Sequence, residues 1–301
     1  MTAPVTRCGF VALVGAPNAG KSTLLNALVG AKVSIVSRKV QTTRTQVRGI
    51  ALSGQAQIVF VDTPGLFKPK RRLDRAMVTS AWGGAGDADM VGLLVDVHKA
   101  GEDETLAILE RIADLRQPVF LVLNKIDTMP RDRLLAVAAD LNAKAKFAAT
   151  FMVSALTGDG VATILTWLEG RLPPGPWLYP EDQISDAPLR FLAAEITREK
   201  MFERLHDELP YRSTVETEQW KTLRDGSVRI EQTIYVERES QRKIVLGEKG
   251  ATIKKIGELA RKEIAEAAEA KVHLFLFVKV RENWADDPER YREMGLEFPK
   301  G

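Results

Sequence analysis

What the 301-residue chain has little of narrows the field first. Its single cysteine, Cys8, rules out a disulfide within the chain and leaves no thiolate cluster for zinc, a usage that suits a reducing compartment. The three histidines, His98, His206 and His273, are scattered without metal-ligand spacing, so no chemistry is assigned to them. No apolar run approaches the ~20 residues of a membrane span, and the opening MTAPVTRCGF lacks the apolar centre of a signal peptide. A cytoplasmic protein is expected. Internal repeats and low-complexity segments are also missing, and 45% apolar with 28% charged residues is a folded chain's balance, at a length that fits two domains.

The pattern along the chain changes once. From Gly9, short apolar runs (FVALVG, IVFVDTPG, DMVGLLVDV, PVFLVLNK, ATFMVSAL) alternate with amphipathic ones (STLLNALVGA, DETLAILERIADL, RDRLLAVAADLNA, GVATILTWLEGRL). Buried strands separated by helices predict an α/β domain over residues 1–172, a mostly parallel sheet with helices on both faces. Four prolines and a glycine between Pro173 and Pro180 cannot continue a helix, so a linker is placed at 173–182. Residues 183–301 read as a small α+β domain: a helix (LRFLAAEITREKMFERL), two alternating strands, a glycine turn, a helix, a strand and a tail. That first helix is amphipathic and suits core packing better than a membrane surface.

The sharpest chemistry lies near the start. Residues Gly15, Ala16, Pro17, Asn18, Ala19, Gly20, Lys21, Ser22 and Thr23 fit G-x-x-x-x-G-K-[ST] between a strand and a helix. Glycines let backbone N–H groups converge on phosphate oxygens, Lys21 reaches the β- and γ-phosphates, and Ser22 offers a hydroxyl to Mg2+. The loop Asp62, Thr63, Pro64, Gly65 follows an apolar strand: Asp62 suits Mg2+, and Gly65 can offer its N–H to the γ-phosphate. In Asn124, Lys125, Ile126, Asp127, the Asp127 carboxylate can accept two hydrogen bonds from the guanine edge, which adenine lacks. There the Lys125 stem packs along the base and Asn124 braces the loops. After the next strand, Ser154, Ala155 and Leu156 can present the Ala155 N–H to the guanine oxygen.

Four such loops in this order resemble the GTPase class of P-loop proteins, which implies GTP/GDP and Mg2+ as ligands and GTP hydrolysis as activity. In SRKVQTTRTQVRG, a polar and basic stretch with the texture of a mobile switch, Thr43 resembles the threonine that closes over Mg2+ and the γ-phosphate, with Thr42 as the alternative. Small GTPases carry a glutamine after the second loop to orient the attacking water, whereas Leu66 stands here, so slow intrinsic hydrolysis is expected. By resemblance to GTPases with the same P-loop, Asn18 is a candidate for holding K+. The basic run KPKRRLDR that follows is most simply a solvated, mobile loop.

A second glycine turn, Gly247, Glu248, Lys249, Gly250, lacks the lysine–serine pair or third glycine of another nucleotide site. Between Arg238 and Lys262 eight Lys or Arg face three acids, a local +5 flanked by acidic segments. A G-x-x-G turn between helices in the order helix, strand, strand, helix, helix, strand resembles the type II KH domain, which clamps single-stranded nucleic acid. Ile244 and Ile253 would then line a groove for bases, and Lys249, Lys254 and Lys255 would meet phosphates. A GTPase followed by a type II KH domain resembles the bacterial Era family over nearly the whole chain, including SRKVQTTR, DTPGLFKPKRRL, GEKGATIKKIG and VKVRENWADDPERYREMGLEF. That resemblance implies binding near the 3′ end of 16S ribosomal RNA and a role in assembly of the small ribosomal subunit, with contact to ribosomal RNA as the alternative reading of KPKRRLDR; a monomer is expected. Glu248 stands where the family commonly has a basic residue, which implies a weaker backbone clamp. The rival reading is a membrane- or protein-associated regulatory GTPase coupling growth to the cell cycle, peripheral on the inner membrane face, with the KH-like unit as an interaction module.

Overall fold

The structure is a computed structural model that describes residues 5–37, 39, 42–205, 209–282, 284 and 287–299. His206 lies outside them. Two compact units are present: Met1–Ser34, Thr43–Asp186 and Met294–Gly301 make the first, and Ile35–Thr42 with Ala187–Glu293 the second.

The first unit is built on strands β1 (Arg7–Gly15), β2 (Val47–Ser53), β3 (Ala56–Asp62), β4 (Met90–Asp96), β5 (Val119–Asn124) and β6 (Thr150–Val153), in the order β2-β3-β1-β4-β5-β6. All neighbours are parallel except β2, which runs antiparallel to β3. Val11 to Val14 are wholly buried, because helices cover both faces of the sheet and leave no strand face for polar residues. Those helices are α1 (Lys21–Val29), α2 (Arg72–Asp87), α3 (Asp103–Ile112), α4 (Arg131–Lys144) and α5 (Val161–Glu169). Val47 to Gly49, assigned from sequence to the switch, open β2 instead: Val47 and Ile50 are buried, and that burial outweighs the polar texture of the residues before them. The basic run after Gly65 is likewise only half loop. Lys68 and Lys70 are exposed, but Arg72 begins α2, whose Asp74 carboxylate accepts the N–H groups of Lys70 (3.1 Å) and Arg71 (2.9 Å).

Residues 173–186 are seated on the first unit, so the compact body extends past the boundary expected at 172. Cys8 N donates to Pro173 O (3.2 Å) and Ile50 N to Ile184 O (2.9 Å). Gln57, with no exposed surface, accepts from Leu178 N (2.8 Å) and Tyr179 N (3.0 Å) and donates to Tyr179 O (2.8 Å). A buried amide needs such partners, and a proline-rich segment with no ladder of its own supplies them. The tail from Met294 also belongs to the first unit, where the Arg72 guanidinium stacks 5.0 Å from the Phe298 ring centre.

The second unit has α6 (Leu189–Arg204), β7 (Ser213–Thr222), β8 (Val228–Val236), α7 (Glu239–Leu246), α8 (Ala251–Ala267), β9 (Val272–Val280) and α9 (Pro288–Glu293). Its sheet runs β7-β8-β9, with β8 antiparallel to β7 and parallel to β9. Val228, Ile230, Ile234 and Val236 of β8 are buried while Arg229 is exposed, a period-two pattern with one covered face. The apolar stripe of α6 (Ala193, Ile196, Met201) and that of α8 (Ile256, Ala260, Ile264) provide the cover. This is the α-β-β-α-α-β order expected of a type II KH domain.

Candidate functional site

The strand order places β1 between β3 and β4, and the loop after β1 leaves the sheet where the winding reverses, the crevice in which open α/β sheets bind ligands. Gly20 closes that loop at φ 100°, and a Cβ there would lie 2.2 Å from Asn124 Nδ2, so both backbone angle and space demand glycine. Asn124, 2% exposed, donates from Nδ2 to Ala19 O (2.8 Å) and accepts at Oδ1 from Ala155 N (3.0 Å). One side chain therefore ties the phosphate loop, its own loop and the Ser154–Leu156 loop together, as expected. The same bond engages the Ala155 N–H with the Asn124 amide oxygen, since a buried acceptor takes the nearest donor.

Lys21 is buried and donates to Gly15 O (3.0 Å) and Ala16 O (3.1 Å). Burial pushes its ammonium down to about 8, against the pull of the Asp62 carboxylate and then Glu104. Asp62 has no exposed surface. Its Oδ2 accepts from Ser22 Oγ (2.6 Å), Ser34 Oγ (2.9 Å) and Thr43 Oγ1 (3.3 Å), and Ser22 Oγ lies 2.9 Å from Thr43 Oγ1. Asp62 Oδ1 has no hydrogen-bond partner among the described residues. Burial raises the carboxyl, with Lys21 and the three hydroxyls opposing. An orphaned buried carboxylate oxygen amid hydroxyl oxygens is a hard, all-oxygen donor set, and it fits Mg2+. Thr43 is in this cluster; Thr42 is not, its hydroxyl being donated to Lys39 O (2.7 Å). Thr63 Oγ1 anchors the second loop on Leu13 O (2.8 Å), a Cβ on Gly65 would touch Pro17 at 3.0 Å, and Leu66 is buried in the core.

On the base side, Lys125 takes the left-handed conformation (φ 68°), Asp127 is exposed at the mouth, and Leu156 is 81% exposed. Ser154 is buried and shapes its loop by accepting Thr157 N at Oγ (3.2 Å). Sequence reasoning missed three residues here. Ser34 joins Asp62, Asp96 pairs with Lys125 (2.6 Å), and His98 Nε2 lies 2.8 Å from Thr128 Oγ1. The position of Asp96, an acid at the end of an apolar strand as Asp62 is, was an available signal; Ser34 and His98 carried none.

In the second unit the G-x-x-G turn links α7 to α8. Gly247 adopts φ 73°, and a Cβ on it would strike Thr252 Oγ1 at 2.2 Å; Gly250 caps α8 at φ 80° and faces open space. Between them Lys249 is itself left-handed (φ 49°). Glu248, Lys249, Lys254 and Lys255 are all exposed, and Lys255 pairs with Glu258 (3.0 Å). Ile244 is 57% exposed, while Ile253 packs partly against the core around Val245 and Ile256. The surface thus joins exposed cations, close-approach glycines and an exposed apolar side chain.

Comparison with known proteins finds relatives for both units. Residues 10–125 match the family described as "50S ribosome-binding GTPase", and residues 208–285 match the KH domain. The chain is 68% identical to GTPase Era of Mesorhizobium japonicum, covering 98% of this chain and 96% of the relative. It is 64% identical to GTPase Era of Brucella suis, covering 98% and 94%. Among solved structures it resembles Era in complex with MgGDPNP and nucleotides 1506–1542 of 16S ribosomal RNA, with TM-score 0.91, 37% identity, and 96% of this chain and 99% of that one covered. A variant of Aquifex aeolicus Era bound to GDP and AlF4− matches equally, with TM-score 0.91 and 37% identity over the same shares. At such identity over nearly its full length, the chain belongs to the Era family of GTPases, a P-loop GTPase domain followed by a KH domain.

Proposed function

We propose that this GTPase uses its KH unit to hold single-stranded RNA near the 3′ end of 16S ribosomal RNA, and that it assists assembly of the small ribosomal subunit. The carrying observation is the exposed turn from Gly247 to Gly250 with Lys249, Lys254 and Lys255 on the surface beside it. Glycines admit a phosphate backbone closely, and exposed ammonium groups exchange counterions for phosphates at little desolvation cost. The Era structure that binds nucleotides 1506–1542 of 16S ribosomal RNA supports the choice of RNA. In the double variant Lys249→Glu, Lys254→Glu, affinity for an oligonucleotide of that 3′ end should fall about tenfold or more, and the salt slope should shrink in magnitude by roughly 0.7 per lost phosphate contact. Unaltered affinity and slope would sink the RNA reading.

In the first unit, Gly15 to Thr23 cradle the phosphates, Lys21 meets the β- and γ-phosphates, and Asp127 reads the guanine edge while Asn124 keeps the loops in register. Ser22, Thr43 and Asp62 would hold Mg2+, which when bound would neutralise phosphate charge. Gly65 offers its N–H to the γ-phosphate. Leu66 is apolar and buried, so it cannot align the attacking water, and intrinsic turnover is slow. Asn18, left-handed at φ 63° in the phosphate loop, is the K+ candidate that would supply a compensating charge. Turnover should be faster in K+ than in Na+ buffer at equal ionic strength; equal rates would remove the ion from the scheme.

A further inference from the structure

We propose that Asp96 is a positioning residue for guanine recognition, holding the Lys125 stem in place before the base arrives. Asp96 ends β4 directly beside Asn124, which ends β5. Its Oδ2 accepts from Lys125 Nζ at 2.6 Å, and its side chain is 7% exposed against 38% for the lysine. Its other oxygen, Oδ1, accepts the His98 N–H at 3.0 Å, so the carboxylate cannot swing with its partner. The base-recognition turn is clipped a second time on the same element. Thr128 donates from N (3.0 Å) and Oγ1 (2.5 Å) to Lys125 O, and the same hydroxyl lies 2.8 Å from His98 Nε2.

His98 therefore touches both ends of the device: its backbone fixes Asp96 and its ring meets Thr128. The turn it steadies holds Lys125 in a left-handed conformation that a non-glycine residue adopts only when its surroundings impose it. A partly exposed ion pair adds little to folding by itself. A flexible lysine stem ordered in advance, however, spares an incoming ligand the entropy of ordering it, and the gain is read out as nucleotide affinity. Asp96 is placed to act in this way through Lys125, without touching the base.

The proposal rests on the reading that the Lys125 stem packs along guanine, and a double-mutant cycle separates the two. GDP affinity and dissociation rate are measured on the full chain for wild type, Asp96→Asn, Lys125→Met, their double variant and Lys125→Ala, with melting temperature recorded for each. Asp96→Asn keeps the side-chain shape and an oxygen for His98 N. It is expected to weaken GDP about tenfold, mainly through faster dissociation, and to have almost no effect once Lys125 is Met. Effects that multiply instead would overturn the proposal, and so would an Asp96→Asn variant that fails to fold, since either shows Asp96 serving the β4 turn rather than Lys125. Unchanged affinity in Asp96→Asn with weakened affinity in Lys125→Met defeats this proposal alone. Unchanged affinity in Lys125→Ala, which removes the stem that Met retains, defeats the guanine-packing reading beneath it.

Discussion

The two glycine turns differ in almost every respect except their glycines. The first is enclosed: Lys21 is 7% exposed, Gly20 has no room for a methyl group, and Asn124 locks the loop from behind. The second is open: Lys249 and Lys254 are solvated, and the space before Gly250 is empty. An enclosed turn strengthens each charge through desolvation and fixes it at one point, which suits a compact polyphosphate with a base to be identified. An open turn leaves its charges weak and screened but lets a chain of any length pass over it, which suits a polymer. Enclosure, not the glycines, separates a catalytic cradle from a clamp.

One substitution applied to both turns tests the contrast most strongly. Lys21→Met should lower GTP turnover by ~10²–10³-fold, the usual loss when one preorganised charge-stabilising group is removed from an enclosed site. Lys249→Met should weaken RNA binding by less than about tenfold and leave turnover at the wild-type rate. Similar losses in steady-state hydrolysis from both would erase the distinction. A smaller effect follows from the depressed Lys21 ammonium at about 8. Above that pH the free protein has lost a proton that the phosphate-bound form retains, so GDP affinity falls as pH rises. The expected drop is about fivefold between pH 8 and 9, accompanied by proton uptake on binding, and calorimetry in buffers of different ionisation enthalpy would measure both. In Lys21→Met the slope should vanish; its persistence would assign the titration to another group.

Legibility in the sequence followed the range of the interaction. The phosphate loop, the Asp62 loop and the Asn124–Asp127 loop were readable because residue type, spacing and a preceding apolar strand are all local. The sheet and the KH order were readable for the same reason. The seat of residues 173–186 was not: its main anchor joins Gln57 to residues 121 and 122 positions away. The start of β2 was hidden because Thr43, Arg44 and Thr45 are polar yet buried, their burial coming from tertiary surroundings rather than from a pattern in the chain. Resemblance already favoured Thr43 over Thr42, but its contacts with Ser22 and Asp62 belong to the fold and not to the sequence. The bond from the Ala155 N–H to Asn124 was not readable either, because it depends on where the Asn124 amide lies, and no local rule contains that.

Asn124 bonds to Ala19, 105 positions earlier, and to Ala155, 31 positions later. A chain emerging from the ribosome therefore presents its phosphate loop long before the parts that lock it. A nascent chain shorter than 155 residues lacks the third partner, so roughly the first half must be synthesised before the pocket can close around a nucleotide.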